Sequence, residues 1–271
     1  MGTHRGQDVM GPKMPMPLKK GVQTSPLIKA VKSKAELIKY RQLLRERNLD
    51  FSLPKLTRPW RWYYSLRYLT RPLAIDFNKG FDVYNTIGLI SEYAPDKNSP
   101  ILDLGCFGSE ILYALHALGY RNLHGCDLNP RCRRMPFWTS IDYRVADLTR
   151  TPYRDSFFSV LTCLSVIEHG VRLTDFIAET KRLLRPGGLL IMTTDYDGTG
   201  VKHEIAPEFR MFGRSWTIYD HEKLFELVDE FKSAGFTLLK EDQIDTMHTQ
   251  RPVRWNGEDY TYVMVALKAG E

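Results

Sequence analysis

The sequence predicts an α/β fold: a three-layer, seven-stranded, mostly parallel sheet with helices on both faces, preceded by an N-terminal helical extension. Three observations predict it. Beyond Ser99, short apolar runs of strand length alternate with segments of helical periodicity, the pattern of a parallel sheet covered on both sides. At 271 residues the chain exceeds an average domain, and one large α/β core plus an extension accounts for that length. Hydrophobic residues at 43% and charged residues at 26% suit a globular chain with a real core and exclude global disorder.

Residues 1–26 mix Gly, Pro, Met and Lys without periodicity and end in Thr24-Ser25-Pro26, so they are expected to be a mobile tail. Residues 27–79 form a basic, aromatic extension or lid. Within it, Leu37, Tyr40, Leu43 and Leu44 recur at three- and four-residue steps, predicting an amphipathic helix from Ser33 to Asn48 with Ser33 as cap and Glu36 three residues on. The stretch Trp60 to Tyr68 interleaves aromatics with arginines. It suits base stacking or a lipid headgroup layer, and equally the packing of the extension onto the main domain.

Residues 80–271 constitute the main domain. A helix is expected from Asp82 to Tyr93, ended by Ala94-Pro95. Strands are expected at Ile101 to Leu104, Leu123 to Asp127, Tyr143 to Ala146, Val160 to Leu164 and Leu189 to Thr193, with Thr237 to Lys240 and Tyr260 to Leu267 completing seven. Helices fit Glu110 to Leu118, Leu173 to Leu184 and His221 to Ala234, the last capped by Asp220 and stopped by Gly235.

Charge is distributed unevenly. Met1 to Arg71 holds 16 Lys and Arg against 4 acids, a net of +12, whereas the remainder is net −6. A basic arm attracts nucleic acid, anionic lipid or acidic substrates, or is a solvated arm with no partner. Cys106, Cys126, Cys132 and Cys163 show neither a CxxC pair nor metal-like spacing with histidine and read as reduced structural thiols. With no apolar stretch of signal-peptide length at the N-terminus and no run near the ~18 residues that span a bilayer, the expected location is cytoplasmic.

The strand Ile101-Leu102-Asp103-Leu104 runs into Gly105-Cys106-Phe107-Gly108-Ser109 and then a helix, a junction where glycines admit a ligand against backbone and helix amides. Asp127 ends the next strand, where a carboxylate commonly holds ribose hydroxyls. These features do not separate a nicotinamide enzyme from one using adenosylmethionine. Later segments do: Gly125-Cys126-Asp127-Leu128-Asn129-Pro130, Val145-Ala146-Asp147-Leu148, Thr162 to His169 and Arg182-Leu183-Leu184-Arg185-Pro186-Gly187-Gly188 follow in order. Together with the first strand they resemble the class I S-adenosylmethionine-dependent methyltransferases, particularly the type 11 small-molecule group.

That resemblance implies a Rossmann-like sheet and S-adenosyl-L-methionine as cofactor. It places Asp103 and Gly105 at the methionine end, Asp127 at the ribose, Asp147 with Leu148 beside the adenine, and Cys163 and Leu164 at the transferable methyl, with Cys106, Gly108 and Leu128 also among the cofactor-binding residues. Phe107 and Ser109 stand where the family usually has glycine. Transfer from a sulfonium needs positioning more than a protein nucleophile. For a hydroxyl acceptor His169 is the candidate base, with His203, Asp195 and Asp197 behind it. Asp195 and Asp197 are expected to be solvated loop carboxylates, and no metal is expected. The resulting expectation is a methyltransferase acting on an oxygen of a sugar, glycan or natural product. The alternatives are an RNA methyltransferase using the basic arm and a non-catalytic adaptor. Leu164-Ser165-Val166-Ile167 lacks the Asp/Asn-Pro-Pro-aromatic pattern of exocyclic-amine enzymes and the Pro-Cys of cytosine C5 enzymes.

Overall fold

The computed structural model describes residues 28–50, 76–135, 139–203, 205, 210–211 and 213–270. The expected tail, the Trp60 to Tyr68 cluster and Pro136 lie outside these residues.

The order of elements is β1 (Ile28–Ala30), α1 (Lys34–Glu46), a 3-10 turn (Phe77–Lys79), α2 (Gly80–Tyr93), β2 (Ile101–Leu104), α3 (Ile111–Ala117), β3 (Leu123–Asp127), a 3-10 turn (Pro130–Arg134), β4 (Ile141–Val145), β5 (Phe158–Leu164), α4 (Leu173–Leu183), β6 (Leu184–Tyr196), the short pair β7 (Arg210–Met211) and β8 (Arg214–Ser215), α5 (His221–Ser233), β9 (Phe236–Leu238), β10 (Ile244–Asp245), β11 (Val253–Trp255) and β12 (Glu258–Ala269). The main sheet runs β10-β1-β12-β6-β5-β2-β3-β4. β4, β3, β2, β5 and β6 are mutually parallel, and β12 enters antiparallel beside β6. The other edge of β12 is shared in succession by β11, β1 and β9. All seven expected strands are present, with ends shifted by a few residues.

Both faces of the central parallel strands β2 and β5 are buried, as their largely apolar runs require. On one face Ile101 and Val160 pack with Leu37 and Leu44 of α1, Phe81 and Ile90 of α2 and Ile111 and Leu115 of α3. On the other, Leu102 and Leu161 pack with Phe176 of α4 and Leu224 and Phe231 of α5. Local capping matches the sequence: Ser33 Oγ accepts from the Glu36 N–H, Asp220 accepts from the Lys223 N–H, and Gly235 takes φ 93 after α5. Among the described residues no helix is long and apolar enough to cross a membrane.

Two findings differ from expectation. The extension is not only helical, because Ile28 to Ala30 adds a strand to β12, and three residues are too few for a period to show. β6 continues past Thr193 to Tyr196 because β12 pairs with it as far as Thr261 opposite Tyr196, so Asp195 is a buried strand residue and not a solvated loop carboxylate. The extension is anchored by Arg41, which is fully buried: Nη1 donates to Asp50 at 2.9 Å and Glu110 at 2.5 Å, while Nε and Nη2 donate to the carbonyls of Phe77 and Asp76. Five donors in a rigid fork suit such a junction, where each N–H needs its own acceptor. It ties α1 to the residue that begins α3, immediately after the glycine turn.

Candidate active site

A cleft of about 430 Å³ opens at the carboxyl ends of the parallel strands, lined along its length by Gly105, Phe107, Asp127, Leu128, Asp147, Leu148, Ser165 and His169, among others. This is the edge where open α/β sheets bind ligands. Gly105 makes the turn with φ 80, and a Cβ there would meet Val166 Cγ2 at 2.4 Å, so both the backbone and the neighbour require glycine. The N–H groups of Gly105 and Cys106 donate to the Cys126 carbonyl at 2.9 and 3.1 Å, locking this turn to the end of β3. Asp127 reinforces the lock: Oδ2 accepts from the Phe107 N–H at 2.9 Å and Oδ1 from the Asn129 N–H at 2.7 Å. Each oxygen keeps acceptor capacity for a ligand hydroxyl. Burial raises the Asp127 pKa, and the two amides oppose that rise. Asp147 Oδ1 accepts from the N–H and hydroxyl of Thr149 at 2.9 and 2.7 Å, which fixes the carboxylate at the cleft wall.

At the other end of the cleft, β5 turns through Ser165 in the left-handed region, φ 55, an uncommon conformation for a residue with a Cβ. The Ser165 N–H donates to the Thr193 carbonyl at 2.9 Å, and the His169 N–H closes the following turn on Val166 at 3.0 Å. Behind Ser165 is a buried charged cluster. Lys79 Nζ donates to Ser165 Oγ at 2.5 Å, lies 3.7 Å from Asp82 Oδ2 and sits 3.8 Å from the centre of the Tyr262 ring. Asp195 Oδ2 accepts from the Trp216 indole N–H at 2.8 Å, and Thr194 donates to Glu168 Oε2 at 3.3 Å.

The electrostatics follow from three carboxyl groups sharing one ammonium. Burial pushes Asp82 up and Lys79 holds it back. Burial, then the charge of Asp195, pushes Glu168 well above the carboxylate range. Asp195 is pushed up to about 6 by burial, against Lys79 and the Trp216 N–H. Burial alone would lower Lys79, but Asp82, Asp195 and Glu168 outweigh it and its pKa rises. His169 is lowered to about 4, first by burial and then by Lys79, so it is neutral at pH 7. Its Nδ1 is buried and has no hydrogen-bond partner among the described residues.

Of the residues singled out in the sequence, the structure brings Gly105, Asp127, Leu128, Asp147, Leu148 and His169 to one cleft. Asp103, Cys106, Gly108, Cys163 and Leu164 are not among its lining residues. Cys106 and Cys163 are fully buried in the core clusters, one on each face of the sheet. Asp103 is 1% exposed, accepts from Thr162 Oγ1 at 2.6 Å and is pushed up to about 7 by burial, against the hydroxyls of Thr162 and Ser109. Its Oδ2 has no hydrogen-bond partner. His203 lies away from the cleft, between Asp197 at 2.9 Å and Glu258 at 2.7 Å, and braces the loop after β6. Sequence reasoning missed Lys79, Asp82, Ser165 and Trp255. Trp255 alone had a local signal, the Asn256-Gly257 pair beside it.

The strand order, the glycine turn after β2 and the carboxylates ending β3 and following β4 define the class I methyltransferase fold. Residues 102–192 match a family model described as a methyltransferase domain. The chain is 26% identical over 171 residues to sterol 24-C-methyltransferase erg6 of Schizosaccharomyces pombe, a match covering 58% of this chain and 44% of that protein. It is 25% identical over 189 residues to a ubiquinone biosynthesis O-methyltransferase of Chelativorans sp., covering 64% and 73%. It thus spans under half the length of the first of these relatives. Haemonchus contortus phosphoethanolamine N-methyltransferase 2, solved with S-adenosyl-L-methionine, shares the fold with a TM-score of 0.51 at 15% identity, covering 86% of this chain and 60% of that one. Over residues 102–192 the chain is thus similar to the methyltransferase domain family.

Proposed function

We propose that the protein transfers a methyl group from S-adenosylmethionine to a hydroxyl oxygen of a small-molecule acceptor, with His169 receiving the proton. One observation carries this reading: a single cleft joins the turn at Gly105 and the carboxylates of Asp127 and Asp147 to the imidazole of His169, which is neutral at pH 7. The residues present fit the methyl donor. Asp127 retains acceptor capacity for ribose hydroxyls, and Leu128 and Leu148 supply apolar walls. The donor supplies an electrophilic methyl carried on a sulfonium. With the donor bound, Asp127, Leu128 and Leu148 would hold it, attack of the acceptor oxygen on that methyl would leave a neutral thioether, and His169 would take the hydroxyl proton. A base with a pKa near 4 is unprotonated over the whole neutral range, and the proton becomes acidic only as the C–O bond forms, so transfer and methylation coincide.

Calorimetry with S-adenosylhomocysteine and labelled methyl transfer to a panel of hydroxylated acceptors test this reading. His169→Gln is expected to lower kcat by about 100-fold with little change in cofactor affinity. The wild-type rate is expected to fall with acid only near pH 4, not near 6.5. No heat at millimolar S-adenosylhomocysteine with folded protein would establish the adaptor reading instead. The net +12 of residues 1–71 favours a second reading, an RNA acceptor. Sequence-selective RNA binding that persists at physiological salt would establish it.

A further inference from the structure

Trp255 stands out among the groups around the cleft because it is costly to expose and yet firmly held. It keeps 39% of its surface exposed, whereas Trp216 is buried at 3%. Its position is set by a tight hairpin: Val253 to Trp255 pairs with Glu258 to Tyr260, and Asn256 and Gly257 turn with φ 48 and 88, the left-handed pair that a two-residue hairpin demands. The ring packs edge-on to Trp216 at 4.7 Å, and Trp216 is fixed by its hydrogen bond to Asp195. It also meets the His169 ring edge-on at 6.1 Å, which places it beside the cleft where the candidate base is.

Asp82 Oδ1, Glu168 Oε1 and His169 Nδ1 are buried polar atoms with no hydrogen-bond partner among the described residues, although buried polar atoms are nearly always paired. A phenolic acceptor brings one hydroxyl to such a region. A sugar ring brings several, together with an apolar face of C–H groups that stacks on indole.

We propose that Trp255 is the stacking platform for a sugar ring, so that the acceptor is a pyranose or a glycan ending in one, presented by the Asn256-Gly257 hairpin to His169. This rests on the methyl-transfer reading above and narrows its acceptor. Trp255 is the specificity-determining residue.

The test uses the full chain on an array of immobilised mono- and oligosaccharides, with and without saturating S-adenosylhomocysteine, and on catechol-bearing beads in the same buffer. The wild type is expected to be retained by at least one pyranoside. Trp255→Leu, which keeps apolar contact with Trp216 but removes the aromatic face, is expected to lose at least tenfold in retention. Trp255→Phe is expected to stay within about threefold, and both variants are expected to bind S-adenosylhomocysteine within twofold of the wild type, which excludes a folding defect. Retention by no saccharide, retention unchanged in Trp255→Leu, or retention by catechol alone overturns the proposal. A wild type that binds saccharide but no S-adenosylhomocysteine would instead sink the methyl-transfer reading and leave the platform standing.

Discussion

The two ends of the cleft hold their carboxylates in opposite ways. At the end formed by β2, β3 and the segment after β4, Asp127 and Asp147 bond to main-chain N–H groups within two residues, and Asp127 bonds also to the turn after β2. At the end formed by β5 and β6, Asp82, Glu168 and Asp195 converge from separate segments on one ammonium, Lys79, which the extension delivers from the far side of the chain. The first end is preorganised by backbone, so it belongs to the fold. The second depends on side chains that balance one another and can be retuned by changing one residue.

The largest expected effect is at Gly105, where the backbone dihedral and the neighbouring Val166 both require glycine. Gly105→Ala places a Cβ at φ 80 and 2.4 Å from Val166, and is expected to destabilise by about 2 to 4 kcal/mol and to abolish measurable S-adenosylhomocysteine binding. Adding Val166→Ala should recover part of the stability, as denaturant titration of the double variant will show. No recovery would mean that the dihedral, not the contact, sets the requirement.

Next in size is Lys79→Met at the opposite end. Breaking a buried charge cluster by removing its cation typically costs 3 to 5 kcal/mol. With 27% of the Lys79 side chain exposed, solvent screening reduces the expected loss to about 2 to 3 kcal/mol. The sign of the pH dependence is distinctive. Asp195 has its folded pKa raised to about 6, so its favourable contribution is complete below the unfolded value near 4 and is lost as pH rises through 6. Without Lys79 the carboxyl groups rise further. The stability deficit of the variant should therefore shrink as pH is lowered from 8 to 5, and a deficit independent of pH would show that Lys79 acts by packing alone.

Asp127→Ala is expected to weaken S-adenosylhomocysteine binding by about 1.5 to 3 kcal/mol in calorimetry while the fold survives. Unchanged affinity would remove Asp127 from the site and leave it only the role of tying two turns. The smallest effect is a control remote from both ends. Asp220→Ala deletes the N-cap of α5 and is expected to lower stability by about 1 kcal/mol without altering cofactor affinity.

Much of the architecture was legible in the chain. Each of the seven expected strands is a local apolar run, and Ser33, Asp220 and Gly235 mark helix ends because capping involves neighbours three or four residues apart. Asp127 and Asp147 were legible for the same reason. The hairpin carrying Trp255 was equally local, with Asn256-Gly257 as its signal, and was overlooked inside a longer terminal strand. Asp103, Cys106 and Cys163 were placed at the cofactor by resemblance. In the structure Cys106, in the turn after β2, and Cys163 fill core, and Asp103 bonds to Thr162 on the adjacent strand; Asp103 and Cys163 sit within strands buried on both faces, so they point into packing before the chain reaches the cleft.

By itself the sequence determined the order of strands and helices, the glycine turn and the carboxylates that follow strands, since all of these rest on interactions between residues close together in the chain. Only the tertiary structure decided that Lys79 meets Asp82, Ser165 and the Tyr262 ring, that Arg41 reaches Glu110, and that Trp255 stands beside His169. Apart from the Lys79–Asp82 pair, these are contacts between residues tens to hundreds of positions apart. Which charge meets which is set by how the extension and β12 pack on the sheet, and no local period or spacing encodes that.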